Sequence, residues 1–209
     1  MTTATPHATL ADTELLRQMR SGTAAAFQAL YRRHHGPLYR FALLRTGSSD
    51  TAADVIQEVF MGLLTDSFKF DPLRGPLPNF LFGVTRLMIL KHEQPRLREQ
   101  CYDEPDDDKD DDLDHAACGS QEPLARLLSD ELAEQVRRAL ALLAPHYRDP
   151  LILYELHDMS YQQIADICQI DIGTVRSRLS RARVAMAKRL ASTRSESTHA
   201  QAAPLQQEA

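Results

Sequence analysis

At 209 residues with a formal net charge of −5, the chain is long enough for one or two small domains and carries an ordinary apolar share. No segment reaches the uninterrupted apolar length of a membrane span and the N-terminus lacks a signal-peptide core. The three scattered cysteines (Cys101, Cys118, Cys168) exclude a disulfide framework, so a cytoplasmic protein is expected. The mean acidity hides a strong polarity: Glu99 to Asp114 holds ten acidic residues and one lysine, whereas Asp171 to Arg194 holds seven basic residues and one acid.

Residues 1–11 lack periodicity and read as a loose tail. From Asp12 the apolar spacing becomes helical with Leu15, Leu16 and Met19, and breaks at Ser21-Gly22. A longer helix follows with Phe27, Leu30, Tyr31, Leu38, Phe41 and Ala42; Gly36-Pro37 inside it should bend it locally. Thr46-Gly47-Ser48-Ser49 ends that helix, and a third, from near Asp50, carries Val55, Ile56, Val59, Phe60, Leu63 and Leu64. Phe68 to Pro78 is broken by Pro72, Gly75, Pro76 and Pro78 and must be an irregular loop. A fourth helix runs from Asn79 to about His92. Residues 12–94 thus form one helical bundle.

Residues 95–122 read as a flexible acidic linker, extended by like-charge repulsion. Helical spacing resumes at Pro123 with Leu124, Leu128, Val136, Leu140 and Leu143 up to Pro145, and again through Leu151, Ile152 and Tyr154. Then come two helix starts about eleven residues apart: Ser160 with Gln163 makes a capping box, and Asp171 can cap a second helix. Ile164, Ala165, Ile167 and Cys168 give the first of these helices one apolar face. Val175, Leu179, Ala182, Met186 and Leu190 give one to the second. Arg176, Ser177, Ser180, Arg181 and Arg183 are left facing outward, as a major-groove reader requires. The alternative is a plain helical hairpin with a solvated basic face. Residues 123–192 make the second unit and 193–209 a disordered tail. The fold class is all-α: two small helical domains joined by the acidic linker.

Three stretches in this order resemble the extracytoplasmic-function sigma factors of bacterial RNA polymerase. DVIQEVFMGLL (Asp54 to Leu64) is similar to the family's polymerase-docking helix. FDPLRGPLPNFLFGVTRLMI (Phe70 to Ile89) resembles its minus-ten loop and following helix, and SYQQIADICQIDIGTVRSRLSRAR its minus-thirty-five reader. The resemblance implies a non-catalytic promoter-specificity factor, without cofactor or metal, whose partners are core polymerase (the beta-prime clamp helices and beta flap) and promoter DNA, with no membrane. It implies that Asp54, Gln57, Glu58 and Phe60 dock on polymerase, an apolar anchor among charged groups; of Val59 and Phe60, one is expected in the core. Phe68, Phe70, Asn79 and Arg86 would hold opened minus-ten DNA. The alternative is that Phe80 and Phe82 pack inside while Phe70 only staples the loop. Arg176, Ser177 and Arg181 would read minus-thirty-five base edges, with Thr174 and Arg183 near phosphates.

Two departures qualify the likeness. The family usually has tryptophan where Phe80 stands and asparagine where Leu87 stands, so one DNA contact is expected to be absent or replaced. Its acidic run, of the form Asp-Ala-Glu-Asp, is here Thr51-Ala52-Ala53-Asp54. A phosphate on Thr51 would restore about two negative charges at a helix N-terminus. This resembles the subgroup controlled by a Ser/Thr protein kinase rather than an anti-sigma factor; the plain alternative is drift at a helix cap. A response-regulator reading lacks a phosphoacceptor domain, and an enzyme reading lacks any nucleophile-base pair. Cys101, His115 and Cys118 lack the second close pair a metal site needs.

Overall fold

The computed structural model describes the backbone of residues 10–100 and 123–200, and side chains over 10–93 and 132–191. The expected linker and both tails lie largely outside the described residues, as do Cys101, His115 and Cys118. The elements are α1 (Asp12–Arg20), α2 (Ala24–Thr46), α3 (Ser49–Leu64), a 3-10 turn (Pro72–Arg74), α4 (Leu77–Gln100), α5 (Pro123–Ala141), α6 (Pro145–His157), α7 (Tyr161–Cys168) and α8 (Ile172–Ala200). No strand occurs among the described residues.

Helix ends follow the local chemistry. Ser48 caps α3 by accepting the Thr51 amide, and Gly47, at φ 71°, takes the left-handed turn that closes α2. The Ser160/Gln163 capping box starts α7, and Asp171 starts α8 by accepting the Thr174 amide at 2.8 Å. Among the described residues, three other than glycine hold left-handed backbone: Asp66, Asp158 and Gln169, at φ 52°, 51° and 55°. Two helices outrun the sequence expectation. α4 continues through Pro95 to Gln100, and α8 reaches Ala200, eight residues into the stretch expected to be a disordered tail. α2 is one helix across Gly36-Pro37.

In the first block α1, α3 and α4 pack on α2 over Leu15, Leu30, Leu38, Phe41, Val55 and Leu81, all buried. In the second, α6, α7 and α8 enclose Leu153, Ile164, Val175 and Leu179. The blocks are more than tethered. α2 touches α5 and α6, α4 touches α7, and the buried apolar residues of both blocks join into one contiguous core. His157 of α6 packs edge-on against Phe41 and Phe82 of the first block, with ring centroids 6.3 and 4.9 Å away. Burial, then the positive charge of Arg40, lowers the His157 pKa below the ordinary histidine value.

Candidate nucleic-acid interface and the α3 face

The face of α3 separates polar register groups from an apolar groove. Asp54 and Gln57 are exposed, and Glu58 is half-buried, hydrogen-bonded to His92 at 2.9 Å and ion-paired to Lys91 at 3.7 Å. Phe60 is 3% exposed and Val59 fully buried, so both belong to the core, where one of the two was expected. The Phe60 ring lies 4.8 Å from Tyr31 and edge-on to Phe27. What the surface offers instead is Met61, 52% exposed, with Leu64 and Tyr31 also exposed. These line a groove of about 340 Å³ with His35 and Tyr39 of α2 and Gln57, floored by Ile56 and Phe60. Sequence reasoning missed Met61, Leu64 and the α2 rings. The signal was present as a second stripe, Gln57-Met61-Leu64, at helical spacing.

Thr51 stands three residues past the Ser48 cap. Its hydroxyl donates to Ser48 Oγ at 3.1 Å and is half-buried. It is therefore the third residue of α3 and not its cap.

The minus-ten candidates divide. Phe68 lies against Gly62, where a Cβ would collide with its ring, and is half-buried. Phe70 is buried and packs on Phe80 at 5.4 Å, while Phe82 is in the core. Asp71 holds the 3-10 turn through the Leu73 amide at 2.9 Å, which leaves Leu73 almost fully exposed. Asn79 and Arg86 face the second block: Asn79 Oδ1 accepts from Gln163 Nε2 at 3.3 Å, and Arg86 Nε donates to Asp149 Oδ2 at 2.8 Å. Both contacts cross between the blocks, which a reading of each motif by itself could not foresee.

On α8, Val175, Leu179 and Ala182 are buried and the outward face carries Arg176, Ser177, Ser180, Arg181 and Arg183. The Thr174 hydroxyl is turned into the cap, donating to Asp171 Oδ2 at 2.5 Å, and Ser177 Oγ donates to the Thr174 carbonyl at 3.0 Å. Hydrogen bonds from the Thr174 hydroxyl and then its amide lower the Asp171 pKa. Arg176 stands 5.8 Å over the Tyr161 ring. Arg183 is held by Glu155 at 2.8 Å and stacks 4.9 Å over Tyr154, whereas Arg181 makes no ion pair among the described residues. Behind this face Cys168 is buried, which pushes its thiol up to about 11 and keeps it protonated.

The geometry has clear relatives. The Sigma-70 region 2 family model matches residues 30–94 and the Sigma-70 region 4 model residues 133–186, one on each block. The ECF RNA polymerase sigma factor SigE of Mycolicibacterium smegmatis is 26% identical over 171 residues, 82% of this chain and 64% of that protein, so the chain spans just under two thirds of it. The ECF RNA polymerase sigma factor EcfG of Rhodopseudomonas palustris is 32% identical over 148 residues, 70% of this chain and 75% of that protein. The sigma factor RpoE of Bartonella quintana, solved in complex with the anti-sigma factor NepR, superposes with a TM-score of 0.60 at 26% identity, covering 78% of this chain and 96% of that one. With both sigma-70 regions in sequence order and a relative at that level of identity, the chain belongs to the extracytoplasmic-function sigma factors of the sigma-70 family.

Proposed function

We propose that the chain binds core RNA polymerase through the α2–α3 groove and directs promoter-specific initiation in the cytoplasm, without catalytic activity of its own. The observation that carries this reading is the pairing, in one chain, of an exposed apolar groove with a basic recognition helix on a separate block. Asp54 and Gln57 would set the register on the beta-prime clamp helices while Met61 and Leu64 supply apolar anchorage. The α5–α8 block would engage the beta flap. Arg176 and Arg181 would reach base edges, where a bidentate arginine–guanine contact contributes about 1–3 kcal/mol of discrimination. The loop bearing Phe68 would hold the opened strand. Reconstitution tests it: core polymerase plus this chain should initiate from a specific promoter that core alone ignores. Failure to form a complex with core rejects the reading.

We propose two alternative forms of control. Phosphorylation of Thr51 would add about two charges in the first turn of α3, beside the groove, where a helix N-terminus favours anions. It would also break the Thr51–Ser48 hydroxyl bond. Thr51→Ala should then abolish kinase-dependent promoter output, and unchanged output beside the kinase rejects this licence. An anti-sigma factor is supported by likeness to the RpoE structure, whose partner is one. Co-purification of a tight inhibitory protein with the unmodified chain would favour that form.

A further inference from the structure

Charge is buried at the seam between the blocks, where apolar packing does not require it. Arg45 on α2 and Asp149 on α6 are each 1% exposed, though 104 residues apart. Arg45 Nε donates to Asp149 Oδ1 at 2.5 Å and Arg86 Nε to Asp149 Oδ2 at 2.8 Å, so two guanidinium groups grip the two oxygens of one carboxylate. Glu93 takes the far edge of Arg45 at 2.6 and 2.9 Å. Burial opposes the Arg45 charge, but Asp149 and Glu93 outweigh it and its pKa is raised. Arg148 joins from α6 through carbonyls, donating to those of Arg45 at 2.7 Å and Leu143 at 2.9 Å. Its own pKa falls to about 10, from burial and then the Arg45 charge. Two arginines therefore bond the two carboxylates, and a third is held beside them by backbone carbonyls.

If the second block moves away, Arg45 and Arg86 lose Asp149 together and remain neighbours with only Glu93 for compensation. Two guanidinium groups, each giving one N–H to one oxygen of a single anion, suit a phosphate as well as a carboxylate. We propose that Arg45 and Arg86 form a clamp for a nucleic-acid backbone phosphate, and that Asp149 occupies the clamp as an internal substitute while the blocks are packed. The promoter side of this proposal rests on the sigma-factor reading of α4. The Gln163–Asn79 bond covers a second minus-ten candidate in the same closure. Size supports the exchange. Elements at minus ten and minus thirty-five lie about 25 base pairs, or about 85 Å, apart along B-form DNA. A compact unit of about 150 residues is only about 40 Å across. Engaging both elements requires the seam to open, and opening vacates the clamp.

The test uses the full chain without polymerase and a fluorescein-labelled duplex of random sequence. Asp149→Asn should bind about tenfold tighter at low salt, with a log–log salt slope steeper by about one to two. Its radius of gyration in X-ray scattering should also rise. Asp149→Asn combined with Arg86→Ala should lose the gain, and Asp50→Asn, an equal charge change on exposed α3 surface, should show none. In wild-type protein, where no variant can misfold, pyrophosphate should expand the chain and potassium chloride at matched ionic strength should not. Unchanged binding and size in Asp149→Asn, a gain that survives Arg86→Ala, an equal gain in Asp50→Asn, or no response to pyrophosphate each overturns the clamp. Because neither polymerase nor promoter enters these measurements, failure of the reconstitution leaves them standing, and a working reconstitution beside a flat response rejects the clamp alone.

Discussion

Met61 separates docking from folding more cleanly than any other side chain on α3. It is 52% exposed, so roughly half its apolar surface is still available to be buried by a partner. Complete burial of a methionine side chain stabilises by about 1.5–3 kcal/mol, so removing the unburied half with Met61→Ala should weaken polymerase binding by about 1 kcal/mol, about fivefold. Met61→Glu sets a carboxylate in the groove and adds a desolvation cost of about 2 kcal/mol, for a combined loss of about a hundredfold. Glutamate matches methionine in helix propensity and the site is outside the core, so stability should change by no more than about 0.5 kcal/mol. Phe60→Ala, by contrast, empties a buried site and should cost about 3–5 kcal/mol of stability. The assay is competition of unlabelled variants against labelled wild-type chain for core polymerase, with thermal melts of each variant alone. Met61→Glu competing as well as wild type, with an unchanged melt, would show that polymerase docks elsewhere.

Gly62→Ala should expel the Phe68 ring from α3, because the added methyl occupies the ring's position. The helix-propensity gain of about 0.5–1 kcal/mol roughly offsets the lost packing, so melting should barely move while permanganate footprinting shows a weaker open complex. Glu155→Gln should release Arg183 to DNA, steepening the salt dependence of duplex binding by about one unit, and should cost at most about 1 kcal/mol of stability because the pair is exposed. His34 and His157 both have pKa values lowered, first by burial, so the folded chain keeps them neutral while the unfolded chain takes up protons near pH 6.5. Their contribution is therefore complete above about pH 6.5 and lost as the pH falls below it. His157→Phe, which retains a ring against Phe41 and Phe82, should flatten part of that decline in pH-dependent melts.

What the sequence reveals is whatever lies within one or two helical turns. The Ser160/Gln163 box, the Asp171 cap and the Val175-Leu179-Ala182 stripe are all local, and all occur as read. The family resemblance set Arg183 near a phosphate; its partner Glu155, 28 residues away, is beyond any local pattern. Phe60 and Met61 are adjacent, and an apolar period cannot say which points inward when α2 supplies rings on one side only. The Arg45–Asp149 contact was beyond reach for the same reason, since nothing in either helix marks a carboxylate or an arginine for burial against a distant block. Pro95 and the Ser-rich stretch after Thr193 misled in the opposite direction. Both carry composition that usually ends a helix, yet α4 and α8 run through them.

The left-handed residues Asp66, Asp158 and Gln169 carry one further consequence. L side chains with a β-carbon pay about 1 kcal/mol each for that backbone. Asp66 recovers some of it through its ion pair with Arg20, at 2.5 Å. Asp158 and Gln169 are held by the backbone bonds of their turns, to the Leu153 and Ala165 carbonyls. They stand at the two bends that bracket α7, so the angle at which the recognition helix is presented rests on conformations glycine would adopt freely. The chain thus sits below its own stability ceiling at these bends, in exchange for fewer backbone conformations where the reader is aimed.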